Sequence, residues 1–454
     1  MTCQKNRFQE VPKVPAVPRV WLLVLLVLGF GVALSANDWP HWRGPAANGI
    51  AAASALPASW GPSDNVAWQT PLEGAGVSSP IVFGNRVFVT SQAGDGRRRA
   101  GNHPTLTQGA DPKSAGETAL NKRPRADVAF IVEAFDRASG KRVWIHETKP
   151  EGELPPVHDK HNLSSASPVT DGERVYAWFG TGQLVALDIN GKPVWSKNLA
   201  REYGAFDIQW GHASSPVLYQ DTIILLCYHA PASYILALDK RTGAVKWKVD
   251  KPAGQESYSS PTVVQGPSGP ELIVNSNSGV ESLDPVTGKS LWTYPEVNRF
   301  PIPVAMVDNG VLFLSRGYRS SPYMAIKLGG RGDISNTHVA WRVPTGGPYV
   351  SSLVHYQGVI YMSTDNGILS AVDASNGQRL WQERVGGTFS ASPIAGDGKV
   401  YFVAEGGETI VIKAGRTFEV LSRNTLDGHF VASPAAGGGR LFLRADDRLY
   451  AVGK

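Results

Sequence analysis

The 454-residue chain carries 44 Lys and Arg against 39 Asp and Glu, a formal net charge of +5, with 49 Gly, 32 Pro and 2 Cys. Two cysteines exclude a disulfide-stapled scaffold, and no basic stripe interleaved with aromatics is present to track a nucleic acid. The Gly and Pro content suits many short strands and turns, and the length suits one large closed β unit as well as several smaller domains.

Lys5, Arg7, Lys13 and Arg19 precede the apolar run 21–28, and Ala33, Ser35 and Ala36 follow it. That order is the order of a secretory signal and predicts residues 1–36 as a signal peptide cut near Ser35 or Ala36. The alternative is an uncleaved anchor, for which 20–36 is short against the ~20 residues of a bilayer span. No Cys follows the run to take a lipid, and Cys227 alone would remain, so no intramolecular disulfide is expected. Loss of the four basic residues and Glu10 would leave the exported chain near neutral. The expected location is the periplasm or the exterior, with a membrane tether only if the signal stays.

From residue 134 the chain repeats itself. Asp136, Gly140 and Trp144 share their spacing with Asp239, Gly243 and Trp247, with Asp284, Gly288 and Trp292, and with Asp373, Gly377 and Trp381. Asp188, Gly191 and Trp195 form a copy one residue shorter. An apolar strand ends at each Asp, a Gly-bearing turn follows, and a second strand ends at Trp. The Trp suits an outer strand wedged against the next repeat.

Upstream of these hairpins lies a second one that opens on Ser-Pro, at Ser79, Ser167, Ser215, Ser260, Ser392 and Ser433. Pro is tolerated at the first residue of a strand. Ile302-Pro303 and Ser352-Leu353 are expected in the same place in two degenerate copies. Eight starts, most roughly forty to fifty residues apart, give one four-stranded blade each. The fold class is therefore all-β: an eight-bladed propeller of antiparallel blades over 65–454, with a loop insertion at 92–126 and an N-terminal extension at 37–64 packing on the ring. The last copy holds three strands, and 65–70 supplies the fourth, with Trp68 in the outer place, which removes open edges. The seventh copy is expected to carry Phe418 where the others have Trp. Arg331-Gly-Asp333 occurs as chance supplies it and carries no adhesive meaning.

The Asp–Gly–Trp repeat resembles that of the pyrroloquinoline quinone (PQQ)-like β-propeller family, over roughly residues 39–452. The opening 38–45, Asp-Trp-Pro-His-Trp-Arg-Gly-Pro, is similar to the start of exported bacterial members. The resemblance implies the fold strongly and the activity weakly, because the family holds both quinoprotein dehydrogenases and scaffolds without cofactor. The adjacent Cys pair of many quinoprotein alcohol dehydrogenases is missing.

In such a blade the first and third turns lie on one face, and the B–C loops and the connections to the next blade lie on the other. Here the first set is short. The second is long and rich in chemistry, which marks it as the functional face. His158 and His161, with His212 or Asp207, are candidate metal ligands. Arg299, Arg316 and Arg319 suit an anion, including the three carboxylates of PQQ. Trp210, Tyr258, Tyr318 and Tyr349 suit stacking on a planar ring or sugar, or plug the channel. Asp207 is the candidate catalytic base of a quinoprotein mechanism. The calcium held by Glu and Asn that such an enzyme pairs with its Asp has no clear counterpart, Asn162, Asn275 and Asn298 being only position-compatible. The Ser-Pro serines are strand starts rather than nucleophiles.

Three readings follow, the third being a metal- or sugar-dependent enzyme on the same face. The first is an exported monomeric propeller that binds a small molecule or an envelope protein through its loop-rich axial face. The second is a PQQ- and calcium-dependent dehydrogenase acting on an alcohol or sugar. PQQ with calcium and no cofactor at all are equally compatible with the sequence.

Overall fold

The computed structural model describes residues 1–2, 38–52, 55–96, 127–229, 232–318 and 321–454. Residues 3–36 of the expected signal, residues 97–126 of the expected insertion, and Arg319 lie outside the described residues.

Eight antiparallel sheets form an eight-bladed propeller. The third blade shows how composition makes a blade. Its strands are Val217–Tyr219, Thr222–Cys227, Tyr234–Asp239 and Val245–Asp250. Thr222–Cys227 is buried throughout and Tyr234–Asp239 up to its last residue. Sheets covered on both faces need continuous apolar runs rather than alternation, and neighbouring blades cover both faces here. The outer strand Val245–Asp250 meets solvent and alternates Val245, Trp247 and Val249 with Lys246, Lys248 and Asp250.

The cores sit between blades. Separate apolar clusters join blades one and two, two and three, and so on to six and seven. A final cluster joins seven, eight and one, and it takes in Trp39, Leu56, Trp60 and Trp68 from the N-terminal segment. The ring is therefore closed. Val66–Pro71 pairs antiparallel with Arg448–Val452 and sets Trp68 opposite Ala451, so the N-terminal strand completes the last blade.

The repeat motif has one job, seen at this closure. Asp136 Oδ1 accepts the Ser139 N–H at 2.9 Å and ties the turn. Gly140 takes φ +70°, and a Cβ there would lie 2.5 Å from the Trp68 ring. Trp68 Nε1 donates to the Arg137 carbonyl at 3.0 Å. The indole thus lies on the Gly turn of the following blade. Trp144, Trp195 and Trp341 repeat the contact, donating to the carbonyls of Ile189, Lys240 and Ala374. Trp292 instead turns inward and donates to Glu271 of its own blade.

Two expectations are corrected, and one blade gains a short extra strand. Met306–Asp308 aligns with Val354–Tyr356, so Val304-Ala305, not Ile302-Pro303, stands where the other blades have Ser-Pro. Ser422, opposite Val411, holds the register of the missing Trp in the seventh blade. Phe418 lies before that strand, in the turn, and packs on Trp381 of the sixth blade with centroids 4.9 Å apart. Gly332–Asp333 adds a fifth, parallel strand to the outer edge of the fourth blade.

The Ser-Pro serines form a belt around the hub. The Ser79 N–H donates to Ser167 Oγ, Ser167 to Ser215, and Ser215 to Ser260. The belt resumes as Val304 donates to Ser352, Ser352 to Ser392 and Ser392 to Ser433. It breaks at Val304, which has no hydroxyl to accept with, and between Ser433 and Ser79, whose Oγ accepts no belt amide. Each bond gives a buried strand-start amide a partner in the next blade. On the A–B turn side the segment 38–51 crosses the hub. Asp38 accepts the Gly84 N–H, Trp39 pairs with Val82, and Ile50 bridges to Ala395. Arg43 is buried beneath it and donates to the carbonyls of Leu353 and Asn48.

Candidate functional site in the axial cavity

The hub encloses a cavity of about 220 Å³. Its wall comes from the belt serines and from the residues just before them, and Trp42 lines it from the N-terminal segment. At the loop-rich face it meets His158, Lys160, His161 and Trp210 from the connections after blades one and two, and Phe300 and Tyr349 from those after blades four and five.

The loop bearing the two histidines crosses this mouth. His161 Nε2 donates to the Trp210 carbonyl at 2.6 Å, and the His158 N–H donates to the same oxygen at 3.0 Å. The His158 and His161 rings are parallel, with centroids 6.5 Å apart, and His158 meets Trp210 edge-on at 5.6 Å. Between the histidines, Lys160 reaches Glu405 in the seventh blade, with Nζ 3.0 Å from both carboxylate oxygens.

Glu405 is fully buried and heads an ionic chain. Ser390 donates to its Oε1, His429 Nε2 lies 3.4 Å from its Oε2, and His429 Nδ1 lies 3.1 Å from Asp446. Burial opposes charge on His429, but the hydrogen bonds to Asp446 and Glu405 outweigh it and raise its pKa to about 9. Burial likewise opposes ionisation of Glu405, yet His429 and Lys160 hold its pKa below the usual value. Burial pushes Asp365 up to about 6, with Lys160 opposing and Glu405 reinforcing. None of Lys160, Glu405, His429, Asp446 and Asp365 stood out in the sequence. They lie in separate loops, and only ring closure brings them together.

The sequence candidates scatter. His161, Trp210 and Tyr349 line the cavity with His158. His212 does not join them. It is buried, its Nε2 donates to the Leu226 carbonyl, and its ring lies 4.3 Å from Trp178 and 5.2 Å from Phe206. Burial lowers its pKa to about 3, so it is neutral. Among the described residues no group of three His, Cys, Asp or Glu is placed to hold a metal ion, and His212 stands apart from His158 and His161.

Arg316 acts as a bolt between blades. It is fully buried and donates to Asn275 Oδ1 and to the carbonyls of Ser276, Gly279 and Glu296, tying blade five to blade four. Arg299 is exposed and lies over the Phe300 ring at 5.0 Å, outside the cavity lining. Tyr318 packs on Phe300 and Tyr349, behind the cavity wall. Asp207 is exposed and lines a separate groove beside Pro155, Pro156 and Arg201. Asn162, Asn275 and Asn298 donate to the carbonyls of Ala75, Pro303 and Arg316 respectively.

A PQQ molecule would bring three carboxylates into this hub. Lys160 is the lining ammonium and Glu405 holds it, while Arg316 spends its donors on the protein. The carboxylates nearest the mouth, Glu405 and Asp446, are taken up by Lys160 and His429, and no group of three His, Cys, Asp or Glu among the described residues is placed to hold a metal ion, so the lining does not fit the quinone and its ion.

The closed ring, the Asp–Gly–Trp docking and the axial cavity define an eight-bladed propeller of the PQQ-like repeat class. The sequence profile of the family described as "Outer membrane protein assembly factor BamB" matches residues 129–299, 276–388 and 365–453, and the chain belongs to this family. It is similar to the tetrathionate hydrolase of Acidithiobacillus ferrooxidans, at 25% identity over 328 residues, which is 67% of this chain and 58% of that protein. It is similar to the outer membrane protein assembly factor BamB of Yersinia pestis at 23% identity over 294 residues, 64% of this chain and 60% of that one. The chain thus spans less than two thirds of the length of these curated relatives. The quinohemoprotein alcohol dehydrogenase of Comamonas testosteroni matches with a TM-score of 0.60 at 14% identity, over 92% of this chain and 81% of that one, a likeness of fold alone. Among the described residues no helix is long and apolar enough to cross a membrane.

Proposed function

We propose that this chain is an exported envelope protein that acts by binding, with the loop-rich axial face as its docking surface for a partner protein. Lys160 carries the reading: it crosses the axial mouth and is held by Glu405, where a quinone enzyme would need free cations for carboxylates. Kinship with the assembly-factor family supports a binding role in the envelope. Around the ring the opposite face carries short turns tied internally by Asp, as at Asp239 and Asp373, and segment 38–51 crosses its hub.

Two valines in the fourth blade region test the choice of face. Val297, 87% exposed, follows the outer strand on the loop-rich face, and Val286, 55% exposed, sits in the C–D turn on the other. A photo-crosslinking residue placed at each in turn, in intact cells of the source organism, is expected to give a discrete adduct with one envelope protein from position 297 and none from 286. The reverse pattern, or equal labelling, overturns the assignment. The dehydrogenase reading gains support only if added PQQ and calcium are retained and an alcohol or sugar is oxidised.

A further inference from the structure

In every belt bond the backbone N–H donates, so the serine oxygen only accepts. Ser167, Ser215, Ser260, Ser392 and Ser433 therefore keep their hydroxyl hydrogens, which reach no acceptor among the described residues. Ser79 Oγ makes no hydrogen bond to the described residues, since Ser79 enters the belt only through its amide. All six line the axial cavity. Ser79, Ser167, Ser215, Ser392 and Ser433 are buried, each only 3–7% exposed.

The six serines come from consecutive blades, the seventh and eighth and then the first to the fourth. The arc breaks at blades five and six, where Phe300, Ile302, Tyr349 and Val350 form the wall. A set of O–H donors thus faces an aromatic and apolar surface across the cavity. Donors of this kind need acceptors, and aromatic faces bury the C–H face of a ring.

Charge separates an anion from a neutral ligand. Lys160 is matched by Glu405, and His429 behind it lies between Glu405 and Asp446. The mouth has little excess positive charge, so an anion gains little Coulomb attraction there. The volume of about 220 Å³ is below the ~300–1,000 Å³ of drug-sized sites, so the space suits a single ring.

We propose that the axial cavity binds a neutral, hydroxyl-rich molecule of single-ring size, a monosaccharide or cyclitol, whose edge oxygens accept from the serine arc while its apolar face lies on the Phe300–Tyr349 wall. This site goes beyond the docking face and stands without it.

Ser79→Ala is the selective variant, because it removes a cavity donor and no belt bond. The test is saturation-transfer NMR on the purified full chain with D-glucose, myo-inositol and sodium methanesulfonate, with thermal unfolding checking that the variant keeps its fold. The expected result is transfer to the ring protons of a polyol and none to methanesulfonate. Binding should be about fivefold weaker in Ser79→Ala, the loss of one neutral hydrogen bond. No transfer to either polyol, transfer to methanesulfonate alone, or unchanged binding in Ser79→Ala overturns the proposal.

Discussion

The Lys160 ammonium sits 3.0 Å from both carboxylate oxygens of Glu405, a residue 245 positions further along the chain. One comes from the connection after the first blade and the other from the seventh. Their contact spans the hub, and it exists only because the ring closes.

Removing the acid should cost more than removing the base. Glu405→Ala leaves His429 buried with its charge half compensated, and loss of one partner from a buried ion pair costs about 3–5 kcal/mol. Lys160 is partly exposed, so Lys160→Ala should cost less, about 1.5–3 kcal/mol for a charged hydrogen bond. Urea unfolding of the two variants checks the order.

Stability should fall as pH rises from neutral into the alkaline range. The His429 pKa is raised from 6.5 to about 9 in the fold. A raised base stabilises fully below its unfolded pKa and loses that contribution as pH passes its folded one. The loss between pH 6.5 and 9 should be on the order of 2–3 kcal/mol, and His429→Gln should flatten it. Asp365, raised from 3.8 to about 6, adds a loss of the same sign at lower pH as its buried carboxyl ionises. Glu405 acts oppositely: its pKa is lowered from 4.5, so its contribution is present above that value and disappears in acid. Unfolding curves across pH in wild type and His429→Gln read all three.

The serine belt predicts unequal effects from equal substitutions. Ser215→Ala strips the acceptor from the Ser167 N–H and leaves a buried donor unpaired, about 1–3 kcal/mol. Ser79→Ala removes no protein bond and should stay within about 0.5 kcal/mol. Thermal unfolding of the pair measures the difference.

Ring closure should depend on Gly140. A Cβ there would sit 2.5 Å from the Trp68 ring, at φ +70°. Gly140→Ala should therefore destabilise by about 1–3 kcal/mol through overpacking, and Trp68→Ala by about 3–5 kcal/mol through the cavity it leaves. Limited proteolysis near residue 65 should speed up in both.

The ring was legible because its docking motif is local: Asp ties the turn, Gly yields to the indole, and Trp reaches the next blade within a fixed spacing. Registers were lost where that chemistry lapses. Val304 carries no hydroxyl, so the nearby Ile302-Pro303 mimicked a blade start two residues early. Phe418 imitated the Trp, but it sits in the turn before the outer strand, and Ser422 holds the Trp register. Side-chain direction was not legible at all. Arg316 and His212 sit in loop-rich segments yet turn into the protein to satisfy carbonyls and fill aromatic gaps, while the unremarked Glu405 and His429 form the charged mouth. Sequence reasoning could find the face but not which side chains point into the hub, because spacing along one loop says nothing about partners in another blade.

The most direct test of a binding propeller, as opposed to a quinone enzyme, is to incubate the purified chain with PQQ and calcium, pass it through gel filtration, and measure bound quinone and dye-linked alcohol oxidation. The account predicts no retained quinone and no dye reduction. Near-stoichiometric quinone on the protein with turnover of an alcohol or sugar would contradict it.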